Sequence, residues 1–250
     1  MGDSMKTLTL RTLGATSLLA LALAGCSSSS DTPAASESAP AAASAAPSSA
    51  APTADTKYSA ADLSGILEQV QDSTGNKLQV LPTTTIEGTV AQTKDLIASM
   101  DIKPEECKTL AASGSVPDID GAVLAVGQHT DSATGSTVAV SLISGLDAAA
   151  FSKSLTQSTD LKSCADMSMT VAGMTVSVKV TVLDGVGSTP ETLAYQTDTT
   201  LPNGTVQSVV TAQLQRNGVV ISTVASGGAN VAANAAEAGS LIDATAALIK

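Results

Sequence analysis

His129 is the only histidine in this 250-residue chain, and Asp131 follows two residues later. An imidazole beside a carboxylate is the core of a general base, so a Ser-His-Asp arrangement is formally open at this point. No G-x-S-x-G or S-x-x-K sequence accompanies it, and nothing singles out a particular serine. The competing reading makes His129 a polar residue at a strand end. Asp118-Ile-Asp120-Gly121 offers paired carboxylates and a turn glycine. A calcium loop needs further oxygen ligands at fixed positions and a bidentate Glu, so this fragment reads as a solvated acidic turn. Gly185-Val-Gly187-Ser-Thr-Pro190 has two glycines of a nucleotide loop, but Pro190 and the strand that follows contradict the helix such a loop must open. Met167, Met169 and Met174 would either line an adaptable apolar groove or fill the core.

Cysteine supplies the remaining chemistry. There are three, and an odd cysteine in a secreted chain needs an explanation. Lys6 and Arg11 form a short basic region ahead of an apolar run, Thr12–Leu23, too short for the roughly 20 residues of a membrane-spanning helix. The run ends in Leu23-Ala24-Gly25-Cys26, which resembles the lipobox of bacterial lipoproteins. That resemblance implies a diacylglycerol on the Cys26 thiol and cleavage after Gly25, leaving the membrane as a partner through that lipid. The alternative is an ordinary signal peptide cleaved at Ala22-Leu23-Ala24. Translation starts at Met1 or at Met5. With Cys26 lipidated, Cys107 and Cys164 remain as a candidate disulfide, the natural state of two cysteines outside the cytoplasm. Closing the intervening loop would stabilise the fold by about 4 kcal/mol. Two buried free cysteines are the other reading.

Composition narrows the partners. Net charge is -11, with 12 Lys+Arg against 23 Asp+Glu, so nucleic acid is excluded for want of clustered cations. One histidine rules out a multi-histidine metal site, and no cofactor is expected. Two Tyr, one Phe and no Trp make a sugar- or base-stacking platform implausible.

These residues must be positioned by one domain. Residues 1–25 are the leader and 26–56 a spacer. Ser27–Thr56 holds nothing aliphatic larger than Ala and cannot offset its ordering entropy by burial. Residues 57–250 suffice for one ordinary domain. Ser59-Ala-Ala-Asp62 resembles a capping box ahead of Leu63, Ile66, Leu67 and Val70, one face of a helix. A short strand is expected over Lys77–Leu81 and a helix over Thr89–Met100. Pro104 opens a further helix carrying Cys107 and Leu110. Val123–Thr130 and Thr137–Ser144 flank the Gly135 loop as a hairpin, and Asp147–Ser158 reads as a helix with Phe151 and Leu155 on one face. Met167–Val171, Met174–Leu183, Leu193–Thr199, Thr205–Gln215 and Val219–Ala225 read as strands. Two of their connections contain Asn203-Gly204 and Asn217-Gly218, strong hairpin signals. A final helix spans Asn230–Ile249. The fold class is α+β, an antiparallel sheet of consecutive hairpins with helices packed on one side and a long C-terminal helix.

Three stretches carry a family resemblance: Ile102-Lys-Pro-Glu-Glu-Cys107, Val138-Ala-Val-Ser-Leu-Ile-Ser-Gly-Leu-Asp-Ala-Ala-Ala-Phe151 and Lys162-Ser-Cys164. They resemble the actinobacterial PknH-like extracellular sensor domains, a family that includes free-standing lipoproteins. The resemblance implies an α+β sensor fold with a ligand-binding cleft and no established catalytic activity. The chain departs from the family in having one candidate disulfide and no Trp, so only the cysteine pair is carried over. The expected function is a non-enzymatic ligand-binding or sensor-like domain, lipid-anchored on the extracytoplasmic face of the bacterial membrane. The alternative is a structural or accessory envelope protein that binds another protein through its sheet face. A small ligand predicts a concave apolar pocket; a protein partner predicts a flat exposed apolar patch.

Overall fold

The computed structural model describes residues 58–115, 121–146, 161–171, 173–228 and 230–250, all within one compact unit, 49–250. The leader with Cys26, the spacer, the Asp118/Asp120 turn and the Asp147–Ser158 helix with Phe151 and Leu155 lie outside the described residues.

The elements run α1 (Ala60–Leu67), β1 (Gln79–Val80), α2 (Thr83–Ser99), β2 (Asp101–Lys103), α3 (Cys107–Ser115), β3 (Val123–Thr130), β4 (Thr137–Ser144), β5 (Asp166–Val171), β6 (Met174–Leu183), β7 (Leu193–Thr200), β8 (Val206–Arg216), β9 (Val219–Ser226) and α4 (Val231–Leu248). All nine strands join one antiparallel sheet in the order β1-β3-β4-β9-β8-β7-β6-β5-β2. The α+β class and the C-terminal helix stand as the sequence predicts. Both sheet edges are very short strands, which limits the backbone offered to another chain.

Period-two alternation sorts each strand between two faces. Val140 and Leu142 of β4, Val210, Ala212 and Leu214 of β8, and Val219 and Ile221 of β9 are buried on one face. Leu63 and Leu67 of α1 and Ala238, Leu241, Ile242 and Ala246 of α4 close over them, forming the main core. The expected single-sided packing holds for α1 and α4. The Cys107 helix packs on the other face, against a second apolar group that includes Ile102, Met167 and Met169. A chain with one Phe and no Trp thus fills two thin apolar layers with aliphatic side chains.

The capping box at Ser59 forms in full: Ser59 Oγ accepts from the Asp62 amide at 3.3 Å, and Asp62 Oδ2 accepts from the Ser59 amide at 2.9 Å. Asn230 caps α4 by accepting from the Ala233 amide at 2.9 Å. Helix α2 begins six residues before the expected Thr89 and buries Ile86 and Ile97. Helix α3 begins at Cys107, with Pro104 in the preceding turn, where its carbonyl accepts from the Cys107 amide at 3.1 Å. Among the described residues, no helix is long and apolar enough to cross a membrane.

Candidate functional site

A recess lies at one end of the sheet, where three segments distant in sequence converge. Thr130 and Thr137 close the β3–β4 hairpin, with its loop tied by Asp131. Residues Asp72–Asn76 form the turn after α1, and α4 starts beyond Gly228. Together they enclose about 250 Å³ over a floor of Val138 and Ala225. Its walls are polar: Asp72, His129, Asp131, Thr134, Ser136, Asn234 and Glu237.

The walls are braced by their own hydrogen bonds. Asp72 Oδ1 accepts from the Thr74 amide at 2.9 Å, the Thr74 hydroxyl at 2.7 Å and the Asn76 amide at 2.8 Å. Burial opposes ionisation of this carboxyl, but those donors outweigh it and hold Asp72 below the usual carboxylate range. Asp131 accepts from the Thr134 hydroxyl at 2.7 Å and the Ala133 amide at 2.8 Å, and these bonds likewise lower its pKa. Glu237 of α4 reaches across to accept from the Ser73 amide at 3.0 Å. Asn234, buried at 6% exposure, accepts from the Gly228 amide at 3.1 Å and ties the end of β9 to the helix.

His129 sits at the rim. Its Nε2 lies 3.8 Å from Asp72 Oδ2, so the nearest carboxylate contact comes from a segment that sequence spacing did not indicate. Asp131 is engaged in its own turn. Ser136, which lines the same recess, pairs its hydroxyl with that of Thr134 at 2.9 Å. The arrangement therefore differs from a nucleophile–base–carboxylate relay, which needs the serine hydroxyl on the imidazole. Among the described residues no group of three or more metal-ligating side chains comes together.

Cys107 and Cys164 form a disulfide, with Cα atoms 5.7 Å apart and a sequence separation of 57. Both sulfurs are buried, at 0% and 3% residue exposure, with Ile102 beneath them and Met167 and Met169 alongside. The bond fastens α3 to the helical residues 161–163 on one side of the sheet. The methionines do not act together: Met167 and Met169 pack against this group, whereas Met174 is 58% exposed at the start of β6.

The Gly185–Pro190 loop is a structural turn. Ser188 and Thr189 each donate an amide and a hydroxyl to Asp243 of α4, at 2.6–2.8 Å. Asp72, Asn234 and Glu237 escaped the sequence reading. Asp72-Ser-Thr-Gly-Asn76 carries a strong turn signature, which marks a loop but not what it faces.

No family model matches the chain, and no curated protein matches it. Among solved structures, it is similar to the crystal structure of the extracellular domain of PknH from Mycobacterium tuberculosis, at 15% sequence identity and a TM-score of 0.43, over 60% of this chain and 77% of that one.

Proposed function

We propose that this chain is a membrane-anchored extracytoplasmic lipoprotein whose domain serves as a non-enzymatic ligand-binding or sensor-like module. The observation that carries the reading is cysteine parity. The Cys107–Cys164 bond takes up two of the three cysteines, so Cys26 is the one left over, and it stands at the end of a lipobox-like leader. A disulfide also suits an oxidising compartment outside the cytoplasm. A diacylglycerol on Cys26 together with an N-terminal acyl chain would hold stably where one chain holds marginally.

The polar recess beside His129 is the binding region we assign to the domain. Its volume suits a small molecule, and its donors and acceptors suit a polar one. Docking of a protein on the sheet has less support. Among the described residues, the exposed large apolar side chains are Leu96, Met174, Val182 and Val206. They are scattered over α2, the two ends of β6 and the start of β8, and so do not make one patch.

The test is replacement of Cys26 by Ser followed by membrane fractionation. The native chain should sediment with membranes and the variant should not. A variant that still fractionates quantitatively with membranes overturns the anchor.

A further inference from the structure

The two ends of strands β3, β4 and β9 do different things, and the point of chain entry tells them apart. Tyr58, the first described residue, donates its amide to Ser144 Oγ at 3.4 Å, at the C-terminal end of β4. Its hydroxyl contacts both the amide and the carbonyl of Lys250, the amide at 2.9 Å. Arg216 Nε and Asn217 Nδ2 donate to the Ile249 carbonyl at 3.3 and 3.4 Å. Ser144 pairs with Val219, and Arg216 with the same residue, so all these contacts gather at one pole.

The polar recess occupies the opposite pole. It is built on Thr130 and Thr137, on Ser226 and on the first turns of α4. Strand β4 runs eight residues from Thr137 to Ser144, about 23 Å at 3.3 Å per residue. Helix α4 covers the same path from Asn230 to Ile249, about 27 Å over its 18 residues. Helix α1, about 12 Å over its 8 residues, leaves Tyr58 in the direction of the recess and ends before the Asp72 turn that walls it.

We infer that the recess is the outward-presented surface of the anchored protein, open to small molecules arriving from outside and held away from membrane headgroups. This rests on the lipid anchor proposed above. A tether joined at Tyr58 draws the Tyr58–Lys250 pole toward the bilayer, while the bilayer excludes the body of the domain, so both effects carry the far pole outward. Charge acts in the same direction. Asp72, Asp131 and Glu237 give the recess a carboxylate lining, which anionic headgroups repel.

The experiment uses the processed, lipidated protein, isotope-labelled and held in nanodiscs of phosphatidylglycerol and phosphatidylcholine that include a headgroup nitroxide lipid. Amide broadening is read at Asn217, Gly218 and Lys250 for one pole, and at Asp131, Thr134 and Gly135 for the other. Broadening several-fold stronger at the first group is the expected result. Equal broadening at both groups, or a reversed order, overturns the outward orientation while leaving the anchor intact. Release of the protein from the nanodiscs on gel filtration sinks the anchor instead, and the orientation with it.

Discussion

The carboxylate of Asp243 accepts both the backbone amide and the hydroxyl of Thr189, at 2.8 and 2.6 Å. Ser188 gives it the same two donors, so one side chain of α4 holds the whole β6–β7 connection. The close approach beneath it is possible because Gly187 and Gly239 face each other; a Cβ on Gly239 would sit 2.5 Å from the Gly187 nitrogen. Replacing Asp243 by Ala strips four bonds to a charged acceptor. The expected loss is on the order of 3 kcal/mol, since such bonds are not additive. Urea unfolding checks it through a lower midpoint at an unchanged slope; an unchanged midpoint would show the loop held by something else.

The same carboxylates set the acid limit of the fold. For Asp72 and Asp243 burial raises the pKa, but donors from Thr74 and Asn76, and from Thr189 and Ser188, outweigh it and leave both below the ordinary value. Asp198 is lowered by Gln196 and Ser208. A folded pKa below the unfolded one means stability that is complete above the unfolded value, about 3.9, and lost as pH falls through the folded values. Stability should therefore hold from neutrality down to about pH 4 as far as these groups are concerned, then fall. Asp243→Asn should flatten that fall. Melting curves across the acid range check it, and an identical slope in the variant would remove Asp243 from the account.

Loss of the Cys107–Cys164 bond should cost about 2–5 kcal/mol, because the cross-link shortens the loops open to the unfolded chain. Changing both cysteines to Ala keeps the buried site apolar and avoids stranding a hydroxyl there. The double variant should melt several degrees lower, and reductant should lower the native curve to match without moving the variant. A native curve indifferent to reductant contradicts the stabilising role.

The contrast between the hairpins and the recess shows what the sequence made readable. Val123–Thr130 and Thr137–Ser144 were placed at their observed bounds because a polar glycine loop separates two β-rich runs of eight. The Asn217-Gly218 turn was equally plain, with Asn217 at φ 50 and Gly218 at φ 78, the signs a two-residue hairpin demands. The first turns of α2 were missed because Thr83, Thr84 and Thr85 weaken local helix preference, and Ile86 supplies the burial that overrides it. Strand β2 is three residues long and exists by pairing with β5, from Asp101 against Thr170 to Lys103 against Ser168; no local pattern announces it. The face taken by the Cys107 helix depends on the pairing of β2, β5 and β6, which turns Ile102, Met167 and Met169 to the side of the sheet away from α4. The recess depends on Asp72, His129 and Glu237 meeting across the fold. Both are products of register, which local periodicity leaves open.

Gly227 and Gly204 together test how tightly the wall of that recess is built. Both have left-handed backbones, at φ 72 and φ 82, so Ala at either position carries a similar conformational penalty of roughly 1–2 kcal/mol. Their surroundings differ. A Cβ on Gly204 would meet nothing within 4 Å, whereas one on Gly227 would lie 2.3 Å from the Gly135 carbonyl oxygen, where the end of β9 presses on the β3–β4 loop. Neither neighbour there is a flexible side chain that can swing aside; relief requires moving the backbone of the hairpin loop. Gly227→Ala should therefore cost about 1–3 kcal/mol more than Gly204→Ala, the usual penalty for overpacking. It should also shift the amides of Thr134, Gly135 and Ser136 while leaving Arg216, Asn217 and Gly218 at the other pole unmoved. Paired urea titrations and amide spectra of the two variants check it. Equal losses would mean that the hairpin loop gives way freely, and that the recess has a pliable wall where the geometry shows a fixed one.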